Sequence, residues 1–283
     1  MLPNLIVIGA SKAGTTSFHY YLDQHPEISM SEPKEPHFFG REDWREHLEW
    51  YESLFRADTP IRGESSVSYA MYPVKVEVPE RIRELIPDAK LVYLVRDPVD
   101  RFVAHYGQHL GNGKETRSLE RVVTESLHNG DDPRNAYLTG SSYGTQVEQV
   151  LGHFPPSQLL VIDQVDLKED RLGTLRSAFR FLGVDDTYDT PRFHRVLNTR
   201  RDQVSWSRLG GRLRFSGAAA AVRRHVPRDI RRPVTKPLTR LMSRRVNRPE
   251  LTPEQGDALR ERLAPEVERL RVLTGQHFDR WSV

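Results

Sequence analysis

Asn4-Leu-Ile-Val-Ile-Gly9-Ala-Ser-Lys12-Ala-Gly14-Thr15-Thr16-Ser17 decides the fold. Residues 4–9 form a short apolar, β-rich run ending in glycine, which reads as a strand buried on both faces of a parallel sheet. Residues 15–24 have helical spacing and stop before His25-Pro26. A buried strand that turns through glycines into a helix aims backbone N–H groups and a helix N-terminus at an anion. The nucleotide kinase pattern G-x-x-x-x-G-K-[ST] fits at Gly9, Gly14 and Thr16, but position 15 is Thr and the loop's lysine is Lys12. A lysine so far forward suits a terminal 5′-phosphate better than a β/γ-phosphate. A strand-to-helix turn that merely needs glycine and a Thr cap would look the same in isolation.

The pattern continues outward from this loop. Residues 61–64, 90–95 and 158–162 read as further strands. Residues 43–55, 79–86, 98–110, 142–154, 171–182 and 252–273 read as helices, with Pro98 at a first helical turn where its missing N–H costs nothing. Strands alternating with helices predict an α/β three-layer sandwich around a central parallel sheet. The chain of 283 residues is expected to be a single domain, with a basic, lid-like insertion at about 200–243.

Net charge is only +3, but its distribution is uneven. Residues 200–248 hold 15 basic and 2 acidic side chains, whereas residues 1–199 hold 22 and 30. Such a block expects an anionic partner, such as an acidic saccharide or a lipid headgroup. Three prolines, Pro227, Pro233 and Pro237, divide it into short pieces. The block has neither zinc ligands nor regular aromatic interleaving, so nucleic acid is not expected. Cysteine is absent, which excludes disulfides, thiolate metal sites and cysteine nucleophiles. No apolar run reaches membrane-span length and no signal peptide is visible, so a cytoplasmic location is expected.

Several motifs, in order, resemble those of sulfotransferases that use 3′-phosphoadenosine-5′-phosphosulfate. Lys12-Ala13-Gly14-Thr15-Thr16-Ser17 resembles their 5′-phosphosulfate loop, and Leu91-Val-Tyr-Leu-Val-Arg96-Asp97-Pro98 with Arg101 their 3′-phosphate motif. Lys34-Glu35-Pro36-His37-Phe38-Phe39 is similar to a stretch of the heparan-sulfate and carbohydrate branch. Glu64-Ser-Ser-Val-Ser-Tyr69, Ser141-x-Tyr143 and Leu273-Thr-Gly275 through Trp281 follow in family order.

The resemblance implies a transferase that moves a sulfuryl group to a hydroxyl or amine of a saccharide, glycolipid or secondary metabolite. Lys12 would stabilise charge on the departing phosphate, and residues 13–17 would supply donors. Glu35 is the expected general base with His37 beside it, although chemistry alone allows the reverse roles. Pro36 favours an extended Glu35, and alternation would then put Glu35 and His37 on one side. Arg96 is the expected 3′-phosphate ligand, with Tyr143 and the late Arg244 and Arg245 assisting. Ala104 stands where the family usually has Ser, and Ser65 where a lysine often follows the Glu. No metal is required, because no β/γ-phosphate needs bridging; the i, i+4 pair His105 and His109 reads as surface or packing. Two other classes stay open at this point: a P-loop kinase or NTPase with Asp97 organising Mg²⁺, and a binding protein for anionic polymers or membranes, with peripheral contact through 200–248.

Overall fold

The computed structural model describes residues 1–56, 58–129, 132, 135–197 and 249–283, and the backbone alone of 204–206 and 243–245. Strands Leu5–Gly9 (β1), Ile28–Met30 (β2), Ile61–Glu64 (β3), Lys90–Val95 (β4) and Leu159–Asp163 (β5) form one sheet in the order β2-β3-β1-β4-β5. Every pairing in it is parallel. β1 is central and buried along its whole length, as its unbroken apolar run requires. Burying one such Val, Leu or Ile side chain contributes about 1.5–3 kcal/mol, which fixes this strand in the middle of the sheet.

Helices cover the sheet. Thr15–Leu22 (α1) follows β1, Leu48–Glu52 (α2) precedes β3, and Val78–Leu85 (α3) leads to β4. Pro98–Gly111 (α4), Leu119–His128 (α5), Ala136–Thr139 (α6) and Tyr143–Leu151 (α7) run between β4 and β5. Gln164–Glu169 (α8) and Arg171–Leu182 (α9) follow β5, and Pro253–Thr274 (α10) is the long late helix. α10 opens with a capping box between Thr252 and Gln255 and closes at left-handed Gly275 (φ 68°). A smaller apolar cluster joins Phe102 and Tyr106 of α4, Val122 of α5, Leu138 of α6 and Leu259 and Leu263 of α10.

Three expectations need correction. β2 is a strand of three residues that sequence periodicity does not reveal. The helix expected over 43–55 is a 3₁₀ turn, Trp44–His47, followed by the short α2. Packing breaks it: Tyr51 stacks on Phe38 at 3.9 Å and Trp44 meets the same ring edge-on at 5.6 Å, so both sides of the segment wrap one aromatic cluster. α5 and α8 were also not anticipated. The basic insertion expected at 200–243 lies outside the described residues, apart from the backbone of an antiparallel pair, Val204–Trp206 (β6) and Ser243–Arg245 (β7). The side chains of Arg244 and Arg245 lie outside them too.

Candidate active site

The C-terminal ends of all five parallel strands open on one side, where open α/β sheets bind ligands. After β1 the chain makes a tight loop. Ala10 N–H donates to Leu94 O of β4 at 2.7 Å, and Ala13 N–H to Ala10 O at 3.2 Å. Lys12 and Gly14 are both left-handed, at φ 75° and 97°. That conformation is ordinary for glycine and costs a lysine about 1–2 kcal/mol, strain of the kind stored at functional sites. It turns the loop so that the backbone N–H groups of Lys12, Gly14, Thr15 and Thr16 have no acceptor among the described residues. The amides of Ala13 and Ser17 are committed within the loop, Ser17 N–H donating to Gly14 O at 3.0 Å. Of the donors expected over 13–17, those two can offer an anion only what remains, in Ser17 its hydroxyl.

Lys12 is half-buried, and burial, with the positive charges of Arg96 and Arg101, holds its ammonium below the ordinary lysine range. The loop is braced from the start of α8, where Gln164 Nε2 donates to Lys12 O at 3.3 Å. Arg96 leaves the end of β4 and donates to Asp100 Oδ2 at 2.5 Å, an ion pair on the first turn of α4. Asp97 caps that helix, its Oδ1 accepting from Asp100 N–H at 2.8 Å. Tyr143 is fully buried among Tyr93 and Trp281, and among the described residues its hydroxyl lies nearest the Arg96 backbone, with no side-chain hydrogen-bond partner. Arg96, Arg101 and Asp97 are its charged neighbours.

The loop after β2 brings in Glu35. Lys34 Nζ lies 2.8 Å from Glu35 Oε1, and His37 Nε2 lies 3.4 Å from Oε2. Glu35 and His37 do meet, but His37 is left-handed (φ 53°) and caps a 3₁₀ turn, so a bend and not strand alternation joins them. Phe38 and Phe39 are fully buried, as packing residues.

A cavity of about 480 Å³ is lined by Ser11, Glu35, Ser68, Arg101, His105 and His109, among other residues. Arg101 was read only as part of a motif. It is 1% exposed, donates from Nε to Ser141 Oγ at 2.7 Å and from Nη2 to Tyr137 O, and has no carboxylate partner among the described residues. The His105 and His109 rings meet edge-on at 4.3 Å, and burial next to Arg101 pushes His105 down to about 2, so it is neutral. Among the described residues no group of three His, Asp or Glu side chains has metal-binding geometry. Lys34 was also overlooked, although it adjoins Glu35 in the sequence. Its Nζ reaches Thr15 Oγ1 at 3.3 Å, joining the phosphate-type loop to the candidate base.

The model of the sulfotransferase domain matches residues 2–206. The bifunctional heparan sulfate N-deacetylase/N-sulfotransferase 2 of Bos taurus is 28% identical over 237 residues, 76% of this chain and 26% of that protein. The heparan sulfate glucosamine 3-O-sulfotransferase 3A1 of Mus musculus is 34% identical over 187 residues, 65% of this chain and 46% of that protein. The chain therefore spans less than half the length of these curated relatives. The crystal structure of a sulfotransferase from Alicyclobacillus acidocaldarius superimposes with a TM-score of 0.71 at 23% identity, covering 100% of both chains, so the two share a fold.

Proposed function

Because the chain belongs to the sulfotransferase domain family, we propose that it moves a sulfuryl group from 3′-phosphoadenosine-5′-phosphosulfate to a hydroxyl or amine of a carbohydrate acceptor. The observation that carries this reading is the Lys34 bridge, which holds a carboxylate, Glu35, against a loop whose free N–H groups suit a phosphate. The candidate base, Glu35, and the start of that loop, Ala10 and Ser11, line one cavity.

In the proposed step the acceptor oxygen or nitrogen attacks sulfur while the bond from sulfur to the bridging oxygen of the 5′-phosphate breaks. Glu35 takes the acceptor's proton. Negative charge grows on the departing phosphate, where Lys12 and the amides of Gly14, Thr15 and Thr16 meet it. Donors fixed in advance favour that charge more in the transition state than in the ground state. Arg96, which bonds Asp100 through Nη2, would turn its other N–H groups to the 3′-phosphate, and the Tyr143 hydroxyl lies near the same charges. The named relatives act on heparan sulfate, which supports a saccharide acceptor. The 15 basic side chains of 200–248 would favour an anionic acceptor or a membrane surface. The kinase reading loses ground, because Thr occupies the lysine position of that pattern.

The test combines labelled donor with saccharides and a cell extract, and identifies the labelled product. Adenosine 3′,5′-bisphosphate should raise the melting temperature, and Mg·ATP should not. Glu35→Gln should abolish transfer while keeping nucleotide affinity within a few-fold, and His37→Ala should cost less. An active Glu35→Gln beside a dead His37→Ala would reverse the two roles.

A further inference from the structure

Glu64 ends β3 and is fully buried, yet it has no cationic partner among the described residues. A lone carboxylate in the interior is tolerated only when hydrogen bonds replace its water. Here three hydroxyls do so. Tyr51 and Tyr69 donate to Oε1 at 2.7 and 3.1 Å, and Ser66 donates to Oε2 at 2.5 Å.

Two of those hydroxyls also accept. Phe39 N–H donates to the Tyr69 hydroxyl at 3.1 Å, and His37 N–H donates to Ser66 Oγ at 3.1 Å. A hydroxyl has one proton, so donating it to Glu64 leaves its lone pairs for the loop amides. The direction of both chains of hydrogen bonds is thus set by the charge on Glu64. A protonated Glu64 must itself donate, and at Oε2 its proton would displace the one that Ser66 donates there, leaving the Ser66 proton with no acceptor among the described residues. One relay then reverses or breaks. The segment at stake is the left-handed His37, whose ring touches Glu35 Oε2 at 3.4 Å and Ser68 Oγ at 3.3 Å.

We propose that Glu64 is a positioning residue: its ionised carboxylate, acting through Ser66 and Tyr69, holds the loop that sets Glu35 in place, and protonation releases that loop. The proposal rests on Glu35 being the base. The titratable groups facing Glu64 are Tyr51 from α2, Tyr69 from the turn after β3, and Glu35 from the loop after β2, with Lys34 and His37 beside it. Both tyrosines are pushed well up by burial and by Glu64, so they stay neutral donors. Burial, with a smaller contribution from Glu35, pushes Glu64 up to about 7 against the pull of the three hydroxyls, so its charge changes near neutral pH.

The experiment compares the wild type with Glu64→Gln, and adds Ser66→Ala and Tyr69→Phe, each of which cuts one relay while leaving the carboxylate. Four quantities are read: amide exchange at His37 and Phe39, the ¹³C carboxyl titration of Glu64, kcat and KM against pH, and affinity for adenosine 3′,5′-bisphosphate. In Glu64→Gln both amides should exchange about tenfold faster or more, reflecting local opening. Its kcat should fall by about 10²-fold, the scale of a small misplacement, with nucleotide affinity within a few-fold. The wild-type kcat should lose activity in step with the Glu64 titration, and Glu64→Gln should lack that step, keeping only the acid limb that belongs to the base Glu35 itself. Ser66→Ala should free the His37 amide alone, and Tyr69→Phe the Phe39 amide alone. Unchanged exchange, or a kcat step matching the Glu64 titration that persists in Glu64→Gln, overturns the proposal. If Glu64→Gln does not fold, the two relay variants decide it by the same readings. If the wild type transfers no sulfuryl group, the functional reading fails, while exchange and the carboxyl titration still decide the relay.

Discussion

Lys34 and Thr15, nineteen residues apart, meet at 3.3 Å, Nζ to Oγ1. The contact ties the first turn of α1 to the loop after β2, and its other arm reaches Glu35. Lys34→Met keeps the length of the side chain and removes the ammonium. It should lower kcat and raise the KM for donor together, because one contact orients both loops. A change confined to acceptor KM would remove Lys34 from the donor side. The measurement is steady-state transfer with donor and acceptor varied independently.

Lys12 gives a pH dependence. Burial, Arg96 and Arg101 disfavour its charge, so its pKa lies below the ordinary lysine range. The charged form is therefore the one destabilised by the fold, and the ammonium is lost at lower pH than in a free lysine. Donor turnover should fall on the alkaline side as Lys12 deprotonates, and Lys12→Arg should move that limb upward. Lys12→Ala should lower kcat by about 10²–10³-fold, the scale of a lost charge-stabilising donor. Stopped-flow transfer between pH 7 and 10.5 measures both effects.

Arg96 is held by Asp100 at 2.5 Å through Nη2, which leaves its other N–H groups to meet a phosphate. Arg96→Ala should weaken adenosine 3′,5′-bisphosphate far more than adenosine 5′-phosphate. A lost charge-assisted contact is worth about 1.5–3 kcal/mol. Equal weakening of both nucleotides in calorimetry would make Arg96 a support of α4 and not a ligand.

Gly144 tests the fold alone. A Cβ there would lie 2.5 Å from Glu266 O and 2.7 Å from Arg269 Cβ, where α7 crosses α10 backbone to backbone. Gly144→Ala should destabilise by about 1–3 kcal/mol, the usual cost of overpacking. For a chain of this size each kcal/mol lowers Tm by about 2–4 °C. Calorimetry should record that loss with nucleotide affinity unchanged at low temperature.

The sequence carried the parts of this molecule that local rules determine. β1, its glycine loop and α1 are a contiguous apolar run, turn and amphipathic helix, and β4 into α4 repeats the logic with Asp97 and Pro98 as punctuation. What it hid depends on partners far along the chain. β2 is too short to have a period and exists because β3 pairs with it. The 43–55 segment has helical spacing but bends around Phe38, which comes from another turn. Arg101 reads only as the last residue of a 3′-phosphate-type motif, and its burial shows only once Ser141 and Tyr137 enclose it. Glu64 looks like a strand-end carboxylate, and only Tyr51, Ser66 and Tyr69 together reveal how it is satisfied.

The residues from Phe278 to Ser282 clasp two strand ends. Trp281 Nε1 donates to Asp163 Oδ2 at 3.1 Å after β5, and Ser282 N–H donates to Asp97 Oδ2 at 2.5 Å after β4. Asp97 is also the cap of the helix that begins beside Arg96. A chain made from its N-terminus can form β1, its loop and α1 early, but this clasp is synthesised some 180 residues after Asp97. On the ribosome the phosphate loop is thus ready long before the Arg96 side is secured. The strand ends that flank Arg96 are tied together only once residues 278–282 have emerged.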